Sequence, residues 1–154
     1  LHKEYRRQRQ MCIRDRLCCQ AKEAGSFLAS IAKTHCKSGK KLAYIAGGET
    51  VVNITGHGKG GRNQEIALSA AEGIKGMSNA AVFSIGSDGT DGPTDAAGGY
   101  SDGDTAGVLK NKGIDIFEVL KNNDAYNALK LTEGLIITGP TGTNVNDVSV
   151  LLIG

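Results

Sequence analysis

The chain has 154 residues, of which 40% are hydrophobic and 22% charged, and this composition is typical of one globular domain with a sizeable core. The net charge of +2 is unevenly spread: the first twenty residues carry six basic and two acidic side chains, and the remainder carries 12 basic and 14 acidic ones. A mildly acidic body argues against a nucleic-acid partner. No apolar run approaches the roughly 18 residues that cross a bilayer, so a membrane partner is not expected either.

The first 16 residues, LHKEYRRQRQMCIRDR, differ from the rest of the chain. They are basic and polar and show no apolar face, a pattern typical of a disordered or frayed extension. MCIRDR also resembles the translation of an adapter used in library preparation, which would make this segment non-native. We therefore expect one domain over residues 17–154, preceded by an extension that plays no part in the fold.

The remaining chain alternates between helical and strand-like segments. Apolar residues at helical spacing predict an amphipathic helix over Leu17–Cys36. Two strands, Leu42–Ala46 and Thr50–Thr55, are expected around a bend at Gly47–Gly48. The further expected elements are a helix through IALSAAEGIK, the buried strand Ala80–Gly86, short helices in TAGVLKNKG, IFEVLKN and NNDAYNALKL, the buried strand Gly134–Gly139 and a last strand in VSVLLI. VVNIT alternates like a half-exposed antiparallel strand, so we predict a mixed sheet.

GHGKGGRNQE, residues 56–65, joins a predicted strand to a predicted helix and is rich in glycine. Glycine frees backbone amides, and a helix start adds the positive end of its dipole. Lys59 and Arg62 place two cations there, so the segment predicts a cradle for an anion. Asn63 and Gln64 could bind a polar ligand or only cap the helix. The amides of this predicted cradle include those of Gly60 and Gly61.

The same segment contains a literal G-x-G-x-x-G pattern at Gly56, Gly58 and Gly61. This pattern is a weak indication of dinucleotide binding. The preceding VVNIT is not the fully buried strand of such folds, and no acidic residue follows about 20 positions later. A Walker A sequence is absent from the chain.

GSDGTDGPTDAAG, residues 86–98, follows the predicted strand Ala80–Gly86 and carries Asp88, Asp91 and Asp95. Crowded carboxylates repel one another unless a cation or a basic partner lies among them. Mg²⁺ is the natural candidate, since it binds one or two carboxylates together with water and substrate phosphates. An acidic solvated turn explains the same residues equally well.

A second loop, GPTGTNVND at residues 139–147, follows the predicted strand Gly134–Gly139. The hydroxyls of Thr141 and Thr143 and the amide of Gly142 would suit phosphate oxygens. A Pro–Gly turn is the alternative explanation.

Four segments together resemble the C-terminal (MOFRL) domain of class II glycerate 2-kinases: GGETVVNITGHGKGGRNQE, GSDGTDGPTDAAG, NNDAY and TGPTGTNVNDV. The resemblance runs in order from about Ala21 to Ile153. It implies ATP-dependent phosphorylation of D-glycerate at the 2-hydroxyl with a divalent metal such as Mg²⁺. It also implies an active site in a cleft between this domain and a larger N-terminal nucleotide-binding domain, which this sequence lacks. We therefore expect the chain alone to be inactive or nearly so.

The resemblance also implies roles for individual residues. Arg62 becomes the leading cation for binding phosphate or the transition state. Asp88 and Asp91 become candidates for metal binding or substrate orientation. Asn144 and the backbone of Gly139–Thr143 would line the same cleft. The sequence departs from the family pattern modestly, with GSDGTDG where GTDGIDG is usual.

Two other functions remain open from the sequence. One is an NAD(P)H-dependent hydroxypyruvate reductase, suggested by the glycine pattern and by a label that the family has often carried. The other is a non-catalytic module that binds a sugar acid or a phosphate. In each case we expect one α/β domain, with a mixed sheet flanked by helices and ligand loops at one sheet edge. The four cysteines, Cys12, Cys18, Cys19 and Cys36, have no C-x-x-C spacing and favour free thiols in the cytoplasm.

Overall fold

A six-stranded mixed sheet forms the centre of the molecule, with strand order β1-β2-β6-β3-β4-β5. The first pair of strands in that order is parallel and all the other pairs are antiparallel. The expected α/β class and mixed sheet are therefore confirmed. The strands are β1 (Gln10–Leu17), β2 (Leu42–Gly48), β3 (Ala80–Gly86), β4 (Gly98–Asp102), β5 (Leu135–Ile136) and β6 (Asp147–Ile153), and the helices are α1 (Ala21–His35), α2 (Arg62–Gly73), α3 (Thr105–Asn111), α4 (Ile116–Lys121) and α5 (Ala125–Leu131).

The structure, a computed structural model, describes the backbone of residues 10–154 and the side chains of residues 17–154. The predicted extension over residues 1–16 lies, for residues 1–9, outside this range. Its other part, 10–16, belongs to β1, which pairs in parallel with β2. The expectation of disorder is wrong there, because backbone hydrogen bonds to a neighbouring strand form a strand without an alternating side-chain pattern.

The predicted strand Thr50–Thr55 is not formed. Beyond Gly48 the chain leaves the sheet, and the backbone of Val51 forms only an isolated bridge with Gln20. Both sides of β2 are already paired, with β1 and β6, so the segment cannot turn back and pair with β2 as the second strand of a hairpin. Alternation along a sequence indicates an extended chain but supplies no partner. The sheet is mixed because β1 pairs in parallel with β2 whereas the other pairs are antiparallel, and not because of VVNIT.

Strand β4 was not predicted, and β5 is shorter and less buried than expected. β4 begins Gly98-Gly99, which lacks the β-branched residues that usually indicate a strand. Glycine is favoured at the second of these positions, because a Cβ on Gly99 would lie 2.6 Å from the side chain of Leu129 and 3.1 Å from that of Ala67 on α2. The close approach of the helix therefore requires a sequence that looks like a loop.

Helix α2 is the structural centre of the domain. One hydrophobic cluster packs α1 and α2 against strands β2, β3 and β6, with Leu28, Ile66 and Leu151 buried at its middle. A second cluster packs the other side of α2 against α3, α4 and α5 through Leu68, Leu109 and similar residues. Because both clusters share α2, its first turn is fixed with respect to the sheet edge. That first turn carries Arg62.

Candidate functional site

The loops that the sequence analysis singled out meet at one end of the sheet. In the antiparallel register Asp147, at the start of β6, lies opposite both Gly48, at the end of β2, and Gly86, at the end of β3. The chain therefore enters or leaves three adjacent strands at the same place. This arrangement confirms the expectation that the loops gather at one edge of the sheet.

Arg62, the first residue of α2, is held at this edge by two carboxylates. Its Nε and Nη2 donate hydrogen bonds to the two oxygens of Asp147, the second at 3.2 Å, and its Nη1 lies 2.9 Å from Glu49 Oε1. The Asp147 side chain is 7% exposed and that of Glu49 is 60% exposed. The hydrogen bond with Asp147 raises the pKa of Arg62. One side of the guanidinium is thus fixed by the buried carboxylate of Asp147, and the other side faces the solvent-exposed carboxylate of Glu49.

The sequence analysis gave neither Asp147 nor Glu49 a place among the site residues. Asp147 stands 85 positions from Arg62, and only the tertiary fold brings the two together. A signal was present at Asp147, since an acidic residue at the first position of a buried strand needs a partner. No comparable signal distinguishes Glu49 from an ordinary turn residue.

Asp91 caps α2 from the acidic loop. Its Oδ1 accepts a hydrogen bond from the backbone amide of Asn63 at 3.1 Å, and its Oδ2 accepts one from that of Gln64 at 2.9 Å. The residue is 3% exposed. Burial raises the pKa of Asp91, although the bonds from Gln64 and Asn63 act in the opposite direction. The positive end of the helix dipole, expected to hold a ligand anion, therefore faces this internal carboxylate, and both of its oxygens are engaged within the protein.

The other two acidic side chains of the loop face different partners. Asp88 Oδ1 accepts hydrogen bonds from the amide and the hydroxyl of Thr90, and the amide bond is the main cause of its lowered pKa. Asp95 accepts a hydrogen bond of 2.7 Å from the Tyr126 hydroxyl, and this bond lowers its pKa. The expected crowding of three carboxylates is therefore wrong. Over residues 17–154, no group of three or more His, Cys, Asp or Glu residues is placed to hold a metal ion.

The glycine-rich segment 56–61 packs tightly against the connection between α4 and α5. The amides of Gly56, His57 and Lys59 donate to the side chains of residues 122–124, and the amide of Gly58 donates to a carbonyl there. These amides are consequently not available to a ligand. Within the described part of the chain, no hydrogen bond is recorded for the amides of Gly60 and Gly61, so only this end of the predicted cradle is open.

Several predicted ligand residues lie elsewhere. Lys59 places its Nζ 4.0 Å from the centre of the Tyr126 ring, outside the cleft described below. Asn63 and Gln64 are 1% and 0% exposed. Asn63 Oδ1 accepts a hydrogen bond from Ser84, and the Gln64 amide group donates to the carbonyl of Asp91. Asn63 and Gln64 therefore belong to a buried polar network and do not line the cleft described below.

The second loop, residues 139–144, lies exposed beside the acidic loop. The Thr141 amide donates to the carbonyl of Asp88 at 3.1 Å, and the Thr141 hydroxyl donates to the carbonyl of Ser87. Asn144 uses its Oδ1 to accept the Asn146 amide. The hydroxyl of Thr141 is thus engaged with the acidic loop. Thr143 and Gly142 remain exposed at the tip.

A cleft of about 540 Å³ opens between residues 50–61 and the acidic loop. Two polar residues in its wall, Thr50 and Glu65, were not predicted as site residues, and both are buried. Loop 139–144 does not line it. The lining residues are Thr50, Val51, Val52, Ile54, Gly56, Gly58, Gly60, Gly61, Arg62, Glu65, Asp88, Thr90, Asp91, Gly92, Pro93, Asn123 and Ala125.

Residues 42–147 match the sequence profile of the MOFRL family. The chain belongs to the MOFRL family. The matched range begins with β2 and ends at Asp147, so it contains the whole of the cleft and of the Arg62 cluster. The resemblance drawn from the four motifs is thereby confirmed.

Several relatives of this MOFRL chain are named as glycerate kinases, and two from Agrobacterium vitis are named as putative hydroxypyruvate reductases. It is 57% identical over 139 residues to D-glycerate 2-kinase from Thermotoga maritima, and 48% identical over 139 residues to glycerate 2-kinase from Pyrococcus horikoshii. These alignments cover 88% and 87% of this chain, but only 33% and 31% of the relatives. The chain thus spans about a third of the length of the curated relatives it matches.

The fold of the MOFRL chain also matches a solved structure closely. The crystal structure of glycerate kinase from Thermotoga maritima superposes with a TM-score of 0.89 at 51% identity, over 98% of this chain and 37% of that one.

Among the described residues, none of the helices has the length and hydrophobicity that a membrane-spanning helix requires.

Proposed function

We propose that this MOFRL chain is the C-terminal part of a glycerate 2-kinase, which transfers the γ-phosphoryl group of ATP to the 2-hydroxyl of D-glycerate. The relatives named as glycerate 2-kinases support the reaction. The observation that carries the proposal is the guanidinium of Arg62, fixed by Asp147 at the rim of the cleft. Catalysis of phosphoryl transfer depends on positioning and on neutralising the charge of the phosphate oxygens, and an immobilised arginine supplies both.

Asp147 and Glu49 act on Arg62 in different ways. Asp147 is a buried positioning residue, because its two oxygens fix the plane of the guanidinium. Glu49 is largely exposed, and exposed ion pairs contribute little to stability. A phosphate group arriving at Nη1 would replace Glu49 at small cost. Arg62 would then bridge a fixed internal carboxylate and the transferred group.

We further propose that Mg²⁺ enters with the nucleotide and that Asp88, rather than Asp91, contributes to binding it. Both Asp91 oxygens accept hydrogen bonds from α2. Asp88 uses only Oδ1 for Thr90, and its Oδ2 has no recorded partner among the described residues. One carboxylate oxygen combined with phosphates and water suits Mg²⁺. The bound ion would supply charge neutralisation on the nucleotide phosphates.

The nucleotide would be bound mainly by parts of the enzyme that correspond to the other two thirds of the relatives. Within this chain the cleft offers Arg62, Asp88 and the amides of Gly60 and Gly61 to the reacting groups. We therefore expect the chain by itself to show little or no kinase activity. Cys18, Cys19 and Cys36 are free thiols, which supports a cytoplasmic location.

The test is a fusion of this chain to the N-terminal region of the Thermotoga maritima D-glycerate 2-kinase. We expect the fusion to form 2-phosphoglycerate from ATP and D-glycerate, with the product identified by ³¹P NMR. Arg62→Ala should lower kcat by roughly 10²–10³, the usual loss for a group that stabilises transition-state charge. A folded fusion without activity would contradict the proposal.

A matched control is Lys59→Ala. Lys59 is also basic and lies three residues before Arg62, but it rests on Tyr126 outside the cleft. We expect this variant to keep the activity of the fusion within about two-fold. A loss as large as that of Arg62→Ala would mean that charge over the whole segment, and not a fixed guanidinium, carries the reaction.

The reductase alternative gains no support from the geometry. The segment before the G-x-G-x-x-G pattern is not a strand, and Gly56 and Gly58 use their amides on residues 122–124. A dinucleotide-binding turn needs that strand and leaves the pyrophosphate room beside the glycines. We expect no saturable binding when the chain is titrated with NADH or NADPH. Calorimetric titration with D-glycerate tests the binding-module alternative.

A further inference from the structure

The wall of the cleft contains a buried hydroxyl with nothing to bind. Thr50 is 3% exposed, and its Oγ1 has no hydrogen-bond partner among the described residues. Native proteins leave few buried polar atoms without partners, because each loses its bonds to water. Thr50 lines the cleft, so a molecule bound there is the natural partner for its hydroxyl.

A second underused polar group, Glu65, lines the same cleft and is 4% exposed. The one side-chain hydrogen bond recorded for its carboxylate among the described residues comes from Asn123 Nδ2, at a long 3.5 Å. A carboxylate can accept about four hydrogen bonds, so part of its capacity is free for a ligand. Burial raises the pKa of Glu65, although the hydrogen bond from Asn123 and the charge and backbone of Lys22 act in the opposite direction.

Contacts on both sides of Thr50 connect its segment to the helix that carries Glu65. Glu49, directly before Thr50, contacts Arg62 at the start of α2. Asn123 donates both to the carbonyl of Asn53 and to Glu65, one helical turn beyond Arg62. Thr50 therefore lies between Glu49, which contacts α2 directly, and Asn53, which is linked to α2 through Asn123. Residues three apart on a helix share a face, so Arg62 and Glu65 are presented to the cleft together.

We propose that Thr50 and Glu65 form a hydroxyl-binding subsite, which recognises the hydroxyl of a short hydroxy acid that is not phosphorylated. A ligand hydroxyl can accept a hydrogen bond from Thr50 and donate its own proton to Glu65. The hydroxyl that receives the phosphoryl group must face Arg62 at the rim. The buried pair suits the other hydroxyl, which for glycerate is that of the hydroxymethyl group. This inference rests on the proposed function.

The test compares three ligands with the 154-residue chain, each titrated while backbone amide shifts are followed by NMR. The ligands are D-glycerate, D-lactate, which lacks only the hydroxyl of the hydroxymethyl group, and 3-hydroxypropionate, which lacks the 2-hydroxyl. We expect D-glycerate to bind about ten-fold more tightly than D-lactate, the loss typical of one buried hydrogen-bonding pair. Thr50→Val should reduce that preference to less than about two-fold.

Thr50→Ser keeps the hydroxyl and should keep the preference, whereas Thr34→Val, which removes an exposed hydroxyl on α1, serves as the control for substitution alone. Unliganded Thr50→Val should melt no lower than the original chain, since it removes an unpaired buried group. A clear drop in its melting temperature would reveal a structural partner for Thr50 and overturn the subsite. An unchanged preference for D-glycerate in Thr50→Val would do the same and would leave an ordered water as the partner of Thr50.

If Thr50→Val instead reduced the affinity for D-glycerate relative to 3-hydroxypropionate, Thr50 would bind the reacting 2-hydroxyl. That result would also overturn the inference. The kinase assay of the fusion separates the two proposals. An active fusion whose Thr50→Val form keeps its D-glycerate to D-lactate preference contradicts the subsite alone. An inactive fusion with a hydroxyl preference that depends on Thr50 contradicts the kinase alone.

Discussion

Two glycine-containing loops of this molecule have opposite structural roles. Residues 56–61, GHGKGG, are packed against residues 122–124, which accept four of their amides. Residues 139–144, GPTGTN, are mostly exposed, and Gly139 and Gly142 adopt positive φ angles with open space around them. Glycine serves close packing in the first loop and turn formation in the second. A glycine-rich sequence therefore indicates a special backbone, but it does not indicate a phosphate site.

The strongest way to test this contrast is Gly58→Ala. A Cβ on Gly58 would lie 2.6 Å from the backbone of both Asn122 and Asp124, and backbone atoms cannot move aside as side chains do. We expect a loss of about 3–4 kcal/mol in the free energy of unfolding, measured by denaturant titration. Gly107→Ala in α3, where no atom lies within 4 Å, should instead stabilise by about 0.5–1 kcal/mol.

Asp91→Ala tests the other contact of the packed loop, since Gly61 lies directly against Asp91. The substitution leaves the amides of Asn63 and Gln64 buried without an acceptor. We expect a loss of about 2–3 kcal/mol in the free energy of unfolding. Asp91→Asn keeps one acceptor oxygen and should lose less. If both variants unfolded like the original chain, Asp91 would not be the cap of α2 and would become a metal candidate again.

Gly142→Ala probes the exposed loop. Its φ of +74° costs an alanine about 1 kcal/mol, and no neighbour adds to that cost. The contrast with Gly58→Ala should appear as a roughly three- to four-fold difference in destabilisation. Equal losses at the two positions would show that the loops do not differ as described.

The smallest effect concerns pH at the junction of the acidic and exposed loops. Asp88 has a pKa below its ordinary value of 3.8, mainly because it accepts the Thr90 amide. A carboxyl with a lowered pKa in the folded state adds stability above the ordinary value, and this contribution is lost as the pH falls through the folded value. NMR titration of the carboxyl carbon should show the lowered pKa. Thr90→Ala should raise it only in part, because the amide remains.

Much of the fold was predictable because its signals are local. The helix expected over Leu17–Cys36 is found at Ala21–His35, and the strand Ala80–Gly86 is found as expected. Periodic burial on one face produces such patterns directly. The acidic N-cap of α4 was also predictable, since Asp115 accepts the Phe117 amide two residues on.

The candidate site was predictable as a set of loops and much less as a set of contacts. Arg62 and Asp88 line the cleft as the motifs implied. In the structure, Asp91 instead caps α2, and Lys59 contacts the ring of Tyr126. Thr50 and Glu65 gave no signal in the sequence. The residues next to Thr50 in the sequence do not indicate that its hydroxyl is buried without a hydrogen-bond partner.

By itself, the sequence determined the class of fold, the family and the segments that form the cleft, because periodicity and motif spacing are written along the chain. Only the tertiary structure decided which side chains meet. Arg62 pairs with Asp147, which is 85 positions away, and Asp91 accepts a hydrogen bond from Asn63 of α2, which is 28 positions away. Such partners are selected by strand register and by helix packing, and these bring together residues whose sequence separation carries no information about distance.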